Sequence, residues 1–277
     1  PHLSSPMDPI AFTIGPLEIR WYGILMALAF ICGYLLLRRL ARQDRLSQEL
    51  VDAFFIYIFI GIILGARLGE ILFYEPAYYF ANPIKMLFIW EGGLASHGAF
   101  IGGIIATFIF CKRHEISFYR IADIAVMPIA LGSVFVRIGN FINGEIVGRP
   151  TGAGWGVVFD NHDDKLRHPA QIYEAVMNLA VFAILLIIRK ARKLPEGLMF
   201  WSFMLIYSFL RFFIEFFKEF QTLDRSFVMT MGQWLSIAFF IIIASTITLK
   251  YRHYITRIIA GKKRKKCGRN AYCRRLG

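Results

Sequence analysis

Four residues able to do chemistry interrupt or border apolar stretches long enough to cross a membrane. They are Tyr22, His97, Arg137 and Arg211. A charged or titratable group inside a membrane span is costly, so each is a functional candidate by default. Their positions along the predicted spans place all four in the same half of the bilayer, the half that the distribution of basic residues assigns to the outside. We therefore predict a polar site near the outer leaflet.

Arg211 shares one helix face with two further candidates. Tyr207, Arg211 and Glu215 are four residues apart in succession, a spacing that places them on one side of a helix. Two readings follow: Arg211 and Glu215 neutralise each other as a structural pair, or Arg211 joins Arg137 in binding a phosphate, which paired guanidiniums suit. We favour the phosphate role for Arg211 and leave the structural pair open for Glu215.

The stretch RIGNFINGEIVGR, at 137–149, combines small, amide and charged residues at a predicted membrane exit. Glycines let backbone approach a ligand closely, and asparagines both donate and accept hydrogen bonds. The stretch predicts an anion or head-group site; the alternative is a tight re-entrant turn capped by asparagine. Its candidate binding residues are Asn140, Asn143, Glu145, Gly148 and Arg149.

His97 stands in EGGLASHGAFIGG, at 91–103. A lone histidine at a helix start is commonly a cap or a hydrogen-bonded structural residue. Beside two arginines and a tyrosine, the balance moves towards a base or an orienting group, since histidine titrates near neutral pH. The sequence does not separate these two roles.

The elements that must position these residues are membrane helices. The chain has 277 residues, 57% of them hydrophobic, with mean hydropathy +0.52, and the apolar excess falls in blocks of about 17–25 residues, the length of a spanning helix. We predict an all-α polytopic membrane protein with seven transmembrane helices. Pro128 interrupts the fourth, which neighbouring helices can tolerate. The predicted spans are 19–37, 50–68, 96–111, 119–137, 170–188, 197–217 and 229–249.

Basic residues set the predicted orientation. They fill alternate connections, for example at Arg38, Lys112 and Arg189, and the tail at 250–277; these connections are expected to face the cytoplasm. The other side takes a periplasmic N-terminal segment (1–18), an interfacial arm (70–94) rich in aromatics, and a small periplasmic head (138–169). Between the N-terminal segment and the tail lies the predicted seven-helix transmembrane catalytic domain, 19–249.

The net charge of +13 does not indicate nucleic acid, because the basic residues lie between apolar blocks and in the tail rather than in a soluble domain. No metal or cofactor is predicted: Cys267 and Cys273 fit no zinc spacing. Glycines recur every four residues at 61, 65 and 69 and at 98 and 102, which indicates close helix packing.

Five motifs together resemble the prolipoprotein diacylglyceryl transferase family, in that family's order and over nearly the whole chain to residue 217. One departure is Ala99, where the family has glycine. The motifs are IRWYG (19–23), GGLASHGAFIGG (92–103), RIGNFINGEIVGR (137–149), RHPAQIYEA (167–175) and the Tyr207–Arg211–Glu215 face.

The resemblance implies an enzyme of the bacterial cytoplasmic (inner) membrane that moves diacylglyceryl from phosphatidylglycerol to the lipobox cysteine in the signal peptide of prolipoproteins. A thioether forms and glycerol phosphate leaves. His97, assisted by Tyr207, would take the thiol proton, and Arg137 and Arg211 would hold the phosphate. Asn140, Glu145 and Gly148 would shape the head-group pocket, which Tyr22 would line. Membrane lipids are the surrounding partners, and no oligomeric state follows from the sequence.

Two rival classes fit less well. A transporter or channel uses intramembrane charges to line a pathway, whereas these charges gather near one face and no paired half-repeat is visible. A purely structural scaffold leaves the cost of burying Arg211 unexplained.

The orientation can be tested directly. A topology reporter fused near Asp163 is expected to behave as periplasmic, because the basic connections lie on the other side of the predicted bundle. Cytoplasmic behaviour of that fusion would overturn the orientation, and with it the assignment of the site to the outer leaflet.

Overall fold

The structure, a computed structural model, describes residues 8–89, 92–191, 194–219, 229–254 and 256. Two short antiparallel hairpins accompany the helices: β1 (Ile10–Ile14) with β2 (Leu17–Arg20), and β3 (Val157–Phe159) with β4 (Asp163–Arg167). The helices are α1 (Trp21–Gln43), α2 (Gln48–Gly69), α3 (Pro76–Ala81), α4 (Ser96–Arg113), α5 (Phe118–Ile142), α6 (Ala170–Arg189), α7 (Leu198–Ile214) and α8 (Met231–Lys250).

Each predicted span lies on a helix, and six helices of the described chain are long and apolar enough to cross a membrane. α4, which carries the third predicted span, is not among those six. Two spanning helices are lengthened by irregular turns: α2 continues into a π-helical turn at Glu70–Tyr74, and α7 into a 3-10 turn at Glu215–Phe217. The protein is therefore a mostly helical, multi-pass membrane protein.

One helix runs beyond the span predicted on it. The fourth span was expected to end at Arg137, and α5 continues to Ile142. The reason is local: the Arg137 side chain donates to the Asn140 side chain one helical turn on, and the backbone amide of Asn143 still donates to the Gly139 carbonyl. Much of RIGNFINGE is thus the end of a helix rather than a turn.

The main apolar core lies at one end of the bundle, where α1 ends, α2 begins, α4 ends and α5 begins. Antiparallel neighbours α1 and α5, α2 and α4, and α5 and α6 bring these ends together. This arrangement leaves the opposite end of the bundle for polar groups. Buried members of the core include Leu37, Leu40, Val51, Phe54, Phe110, Ile121, Met127, Val181, Leu185 and Met199.

Polar contacts fasten the helix termini at this apolar end. Arg189, at the end of α6, pairs with Asp44 in the turn between α1 and α2 at 2.8 Å. Asp123 of α5 accepts the backbone amides of Gly197 and Phe200 at 2.7 and 2.8 Å. A carboxylate at a helix N-terminus compensates its unpaired amides and its dipole, so Asp123 fixes where α7 starts.

Helices α2 and α4 meet backbone to backbone. A Cβ atom on Gly65 would overlap the carbonyl oxygen of Gly98, and one on Gly102 would overlap that of Gly61. A Cβ on Gly69 would come within 2.9 Å of the Gly98 Cα atom. The packing predicted from the glycine spacing is confirmed, and it holds α4, with His97 near its start, against α2.

The glycine contact predicts a sharp difference between two neighbouring positions. Gly102→Ala should lower the thermal stability of the detergent-solubilised protein, at a cost of about 1–3 kcal/mol, because the added methyl forces the two backbones apart. Gly103→Ala is the control, since its Cβ would meet only the Ile62 side chain at 3.6 Å. Equal melting temperatures for the two variants would contradict the account.

Candidate active site

A single buried carboxylate organises the polar end of the bundle. Glu174, in the second turn of α6, is 2% exposed. Its Oε2 lies 2.5 Å from Nε of Arg137 on α5, and its Oε1 lies 2.6 Å from Nη1 of Arg211 on α7. Nζ of Lys218, just after α7, is 3.2 Å from the same Oε1. Three cations from three parts of the chain therefore converge on Glu174.

A second carboxylate completes the cluster. Oε2 of Glu215 is 2.9 Å from Nη2 of Arg211, so the ion pair that the four-residue spacing left open is present. Gly232, in the first turn of α8, leaves room for this carboxylate, since a Cβ there would overlap it. The start of α8 thus adds a favourable dipole to Glu215. Within these five groups, three cations face two carboxylates.

The 137–149 stretch extends this cluster by hydrogen bonds. Arg137 Nη1 donates to Asn140 Oδ1 at 3.2 Å, and Asn140 Nδ2 donates to Glu145 Oε2 at 2.9 Å. Asn143 Nδ2 donates to the other oxygen of Glu145 at 3.1 Å, and the Gln171 amide holds the Glu145 backbone carbonyl at 2.6 Å. The predicted residues Arg137, Asn140, Asn143 and Glu145 therefore form one chain of contacts.

Tyr22 and Gly148 reach this region in different ways. The Tyr22 ring packs on Gly139, where a Cβ would lie 2.8 Å from the ring. Gly148 pairs with Lys218 as an isolated β-bridge, and its amide donates to the His168 carbonyl at 3.2 Å. A Cβ on Gly148 would overlap that carbonyl. Gly148 therefore lets two backbone segments come into contact. Its role is to position Lys218, since glycine has no side chain to offer a ligand.

The structure does not join His97 or Tyr207 to this network. His97 is exposed, and its polar contact within the described chain is with Tyr74 of the arm, Nδ1 to Oη at 3.4 Å. The Tyr207 ring packs on Phe203 with 5.8 Å between centroids. Their expected roles in proton transfer stay predictions. Arg149, by contrast, is tied to the network through its backbone amide, which donates to the Phe217 carbonyl at 3.0 Å.

Sequence reasoning missed Glu174 and Lys218. Glu174 lies in the fifth predicted span and in the motif RHPAQIYEA, so the rule that selected Arg211 also applied to it. Lys218 directly follows the sixth span. Attention to every charge within or beside a span would have found both; their meeting depends on helix packing, which the sequence does not display.

The part of the head that follows α5, 143–169, stabilises the ion cluster through contacts outside the helices. Arg167, buried in β4, contacts both carboxylate oxygens of Asp163 at 2.8 and 2.7 Å, and Glu219 at 3.1 Å. This guanidinium holds the pKa of the Asp163 carboxyl well below its usual range. Because Glu219 follows Lys218, the head fixes the segment that delivers Lys218 to Glu174, while burial lowers the pKa of the Lys218 amine.

Comparison with known proteins gives a consistent result. The family model described as prolipoprotein diacylglyceryl transferase matches residues 9–249. A relative from Tolumonas auensis, named phosphatidylglycerol–prolipoprotein diacylglyceryl transferase, is 44% identical over 235 residues, covering 84% of this chain and 91% of the relative. Relatives of the same name from Nitrosomonas europaea and Geobacter sulfurreducens are each 40% identical, covering 89% and 87% of this chain and 90% and 93% of their own.

His168 predicts a pH dependence of stability. Burial, followed by the charge of Arg149, lowers the pKa of its imidazole from 6.5. As pH falls below 6.5, the unfolded chain takes up this proton before the folded chain does, so stability is lost until the folded pKa is passed. The melting temperature should therefore fall less between pH 7 and pH 5 in His168→Asn than in the wild type. Parallel curves would contradict this assignment.

Proposed function

The chain belongs to the prolipoprotein diacylglyceryl transferase family, and from that premise we propose that it transfers the diacylglyceryl group of phosphatidylglycerol to prolipoproteins. This is the first step of bacterial lipoprotein maturation. The observation that carries the proposal is the ion cluster around Glu174, which brings Arg137, Arg211 and Lys218 together at the polar end of a membrane bundle. Two guanidiniums that share one carboxylate and stay partly exposed suit an anionic ligand such as a lipid phosphate.

The proposed reaction is a displacement at carbon. The thiolate of the lipobox cysteine in the prolipoprotein signal peptide attacks the diacylglyceryl carbon bonded to the phosphate oxygen. The carbon–sulfur bond forms as the carbon–oxygen bond breaks, and glycerol phosphate leaves with the electron pair. The thiol proton goes to a base. Stabilisation of the leaving phosphate and alignment of two lipid-embedded reactants are what the protein must supply.

Arg137 and Arg211 would supply the first requirement. Both side chains are partly exposed, at 24% and 20%, while Glu174 between them is 3% exposed. A phosphate that approaches the exposed faces of the two guanidiniums would bind their remaining N–H donors. Glu174, on their buried side, would fix the orientation of both groups. Glu174 is in this view a positioning residue, and Lys218 adds a third positive charge.

The polar chain beyond Arg137 would hold the glycerol head group. Asn143 and Glu145 present amide and carboxylate groups at the α5 terminus, and the buried Asn140 amide lies behind them; such groups suit hydroxyls. Tyr22, packed on Gly139, would line the same space. Gly148 would act through its backbone bridge to Lys218. Arg149 would act through its backbone hydrogen bond to Phe217, in the segment that leads to Lys218.

His97 would accept the thiol proton, with Tyr207 assisting. His97 stands near the start of α4, at the same end of the bundle as the end of α5 that carries Arg137. A catalytic hydrogen bond need not be formed before the substrate binds, and the exposure of His97 leaves it accessible to a thiol.

For the membrane we propose seven spans, with α4 crossing beside α2. The backbone contact between the two helices supports this, as do Lys112 and Arg113 at the same end as the other basic connections. The N-terminal segment and the head would be periplasmic, the arm interfacial, and the tail cytoplasmic at the inner membrane. The tail beyond residue 256 lies outside the described residues.

The arginines provide the first test, in a purified assay with phosphatidylglycerol and a lipobox peptide. Arg137→Lys and Arg211→Lys should each lose about a hundredfold or more in turnover at every pH, because lysine keeps the charge but not the planar fork. Arg20→Lys, an exposed site before α1, is the matched control. A folded Arg211→Lys variant with near-normal turnover would remove Arg211 from the mechanism and reduce it to a structural partner of Glu215.

His97 provides a separate test. If it takes the thiol proton, His97→Asn should depress turnover most at neutral pH, and raising the pH should partly restore it, because a free thiol with a pKa of about 8.5 then ionises unaided. A uniform loss without rescue at high pH would assign His97 an orienting role instead.

A further inference from the structure

The arm, 70–94, depends on one buried arginine that the proposed reaction does not use. Arg67, near the end of α2, is 5% exposed. Its guanidinium donates to the backbone carbonyls of Lys85, Met86 (2.9 Å), Phe88 (3.2 Å), Gly92 (2.6 Å) and Gly93 (3.0 Å), and to the hydroxyl of Tyr79 (3.1 Å). The Tyr79 ring also stacks near the guanidinium carbon at 4.7 Å.

The arm needs such a partner because its backbone is irregular and its surface is apolar. Between the short helix α3 and the start of α4, the described residues form 3-10 turns, chiefly Pro83–Leu87, and backbone without regular structure. Several large apolar side chains point outwards, including Phe73 at 79% and Leu87 at 73% exposure. Non-helical backbone next to lipid is tolerated only where its polar groups are satisfied within the protein. Arg67 provides those donors from inside.

The arm in turn leads to the proposed base. It leaves α2 at Tyr74 and re-enters the bundle at Ala95, whose amide donates to the Ala66 carbonyl at 3.0 Å. Tyr74 contacts His97 at 3.4 Å. Gly93 sits against Arg67 and Tyr79, where a Cβ would lie 3.1 and 2.7 Å from their polar atoms. The segment just before His97 is therefore tied to the end of α2, through Arg67 at Gly92 and Gly93 and through the Ala66 carbonyl at Ala95.

We propose that Arg67 is a positioning residue that folds the arm against α2 and thereby sets His97 and Tyr74 at the site. The planar guanidinium is essential to this role, because five carbonyls around one plane match its fixed fork of donors, whereas a lysine ammonium donates from a single point. The catalytic part of the proposal rests on the proposed function; the structural part does not.

The test compares Arg67→Lys with Arg189→Lys. Both substitutions keep the positive charge. Arg189 is a suitable control because it too donates to a backbone carbonyl, at the opposite end of the bundle, where it also pairs with Asp44. Hydrogen exchange of arm amides within 76–89 should become at least about tenfold faster in Arg67→Lys, with α5 and α6 unchanged. Turnover should fall at least about tenfold with little change in KM for phosphatidylglycerol, because positioning is lost and binding is not. Arg189→Lys should change neither quantity.

Each outcome is decisive. Unchanged arm exchange in a folded Arg67→Lys variant would overturn the proposal, and faster arm exchange with normal turnover would remove its catalytic part. If the wild type lacks transferase activity, the proposed function fails while the exchange measurement still decides whether Arg67 folds the arm. Should Arg67→Lys not fold, Tyr79→Phe removes one partner of Arg67: faster exchange confined to the arm supports the proposal, and unchanged exchange contradicts it.

Discussion

The sharing of one carboxylate by three cations is the constraint on which the polar end of this protein depends. Burying a charge costs several kcal/mol unless partners compensate it, and Glu174 is almost fully buried. It therefore requires Arg137 from α5, Arg211 from α7 and Lys218 from the following segment at their observed places. Removing Glu174 would leave like charges facing each other, and removing a cation would leave Glu174 undercompensated. Charge therefore joins the helix termini at this end, beside a small apolar cluster of Val147, Val157 and Phe159.

The rest of the molecule can be understood as support for that cluster. The apolar core and the ties at Asp123 and Arg189 fix the helices at the other end, so the polar end can remain open to a ligand. The start of α8 compensates Glu215, and the head delivers Lys218 through Arg167 and Gly148. The α2–α4 pair, which carries His97, contacts the other helices mainly at the apolar end of the bundle.

The sequence was informative where the signal is local. Apolar blocks located the helices, four-residue spacing placed Arg211 and Glu215 on one face, and the glycine spacing indicated close helix packing. It was less informative where the signal is a meeting of distant segments. Nothing in the sequence states that Glu174 lies between Arg137 and Arg211, or that the carbonyls around Lys85 and Gly92 converge on Arg67. The extension of α5 through Ile142 was also missed, because the glycines and asparagines of that stretch favour a turn, and side-chain bonding from Arg137 outweighs that preference.

The central claim is that the Glu174 cluster is the phosphate site of a lipid-consuming enzyme. An experimental structure of the protein with phosphatidylglycerol bound tests it most directly. The account predicts phosphate oxygens within hydrogen-bond distance of both Arg137 and Arg211, on the side away from Glu174, with the glycerol near Asn140 and Glu145. A head group bound elsewhere, with no phosphate contact to either arginine, would contradict it.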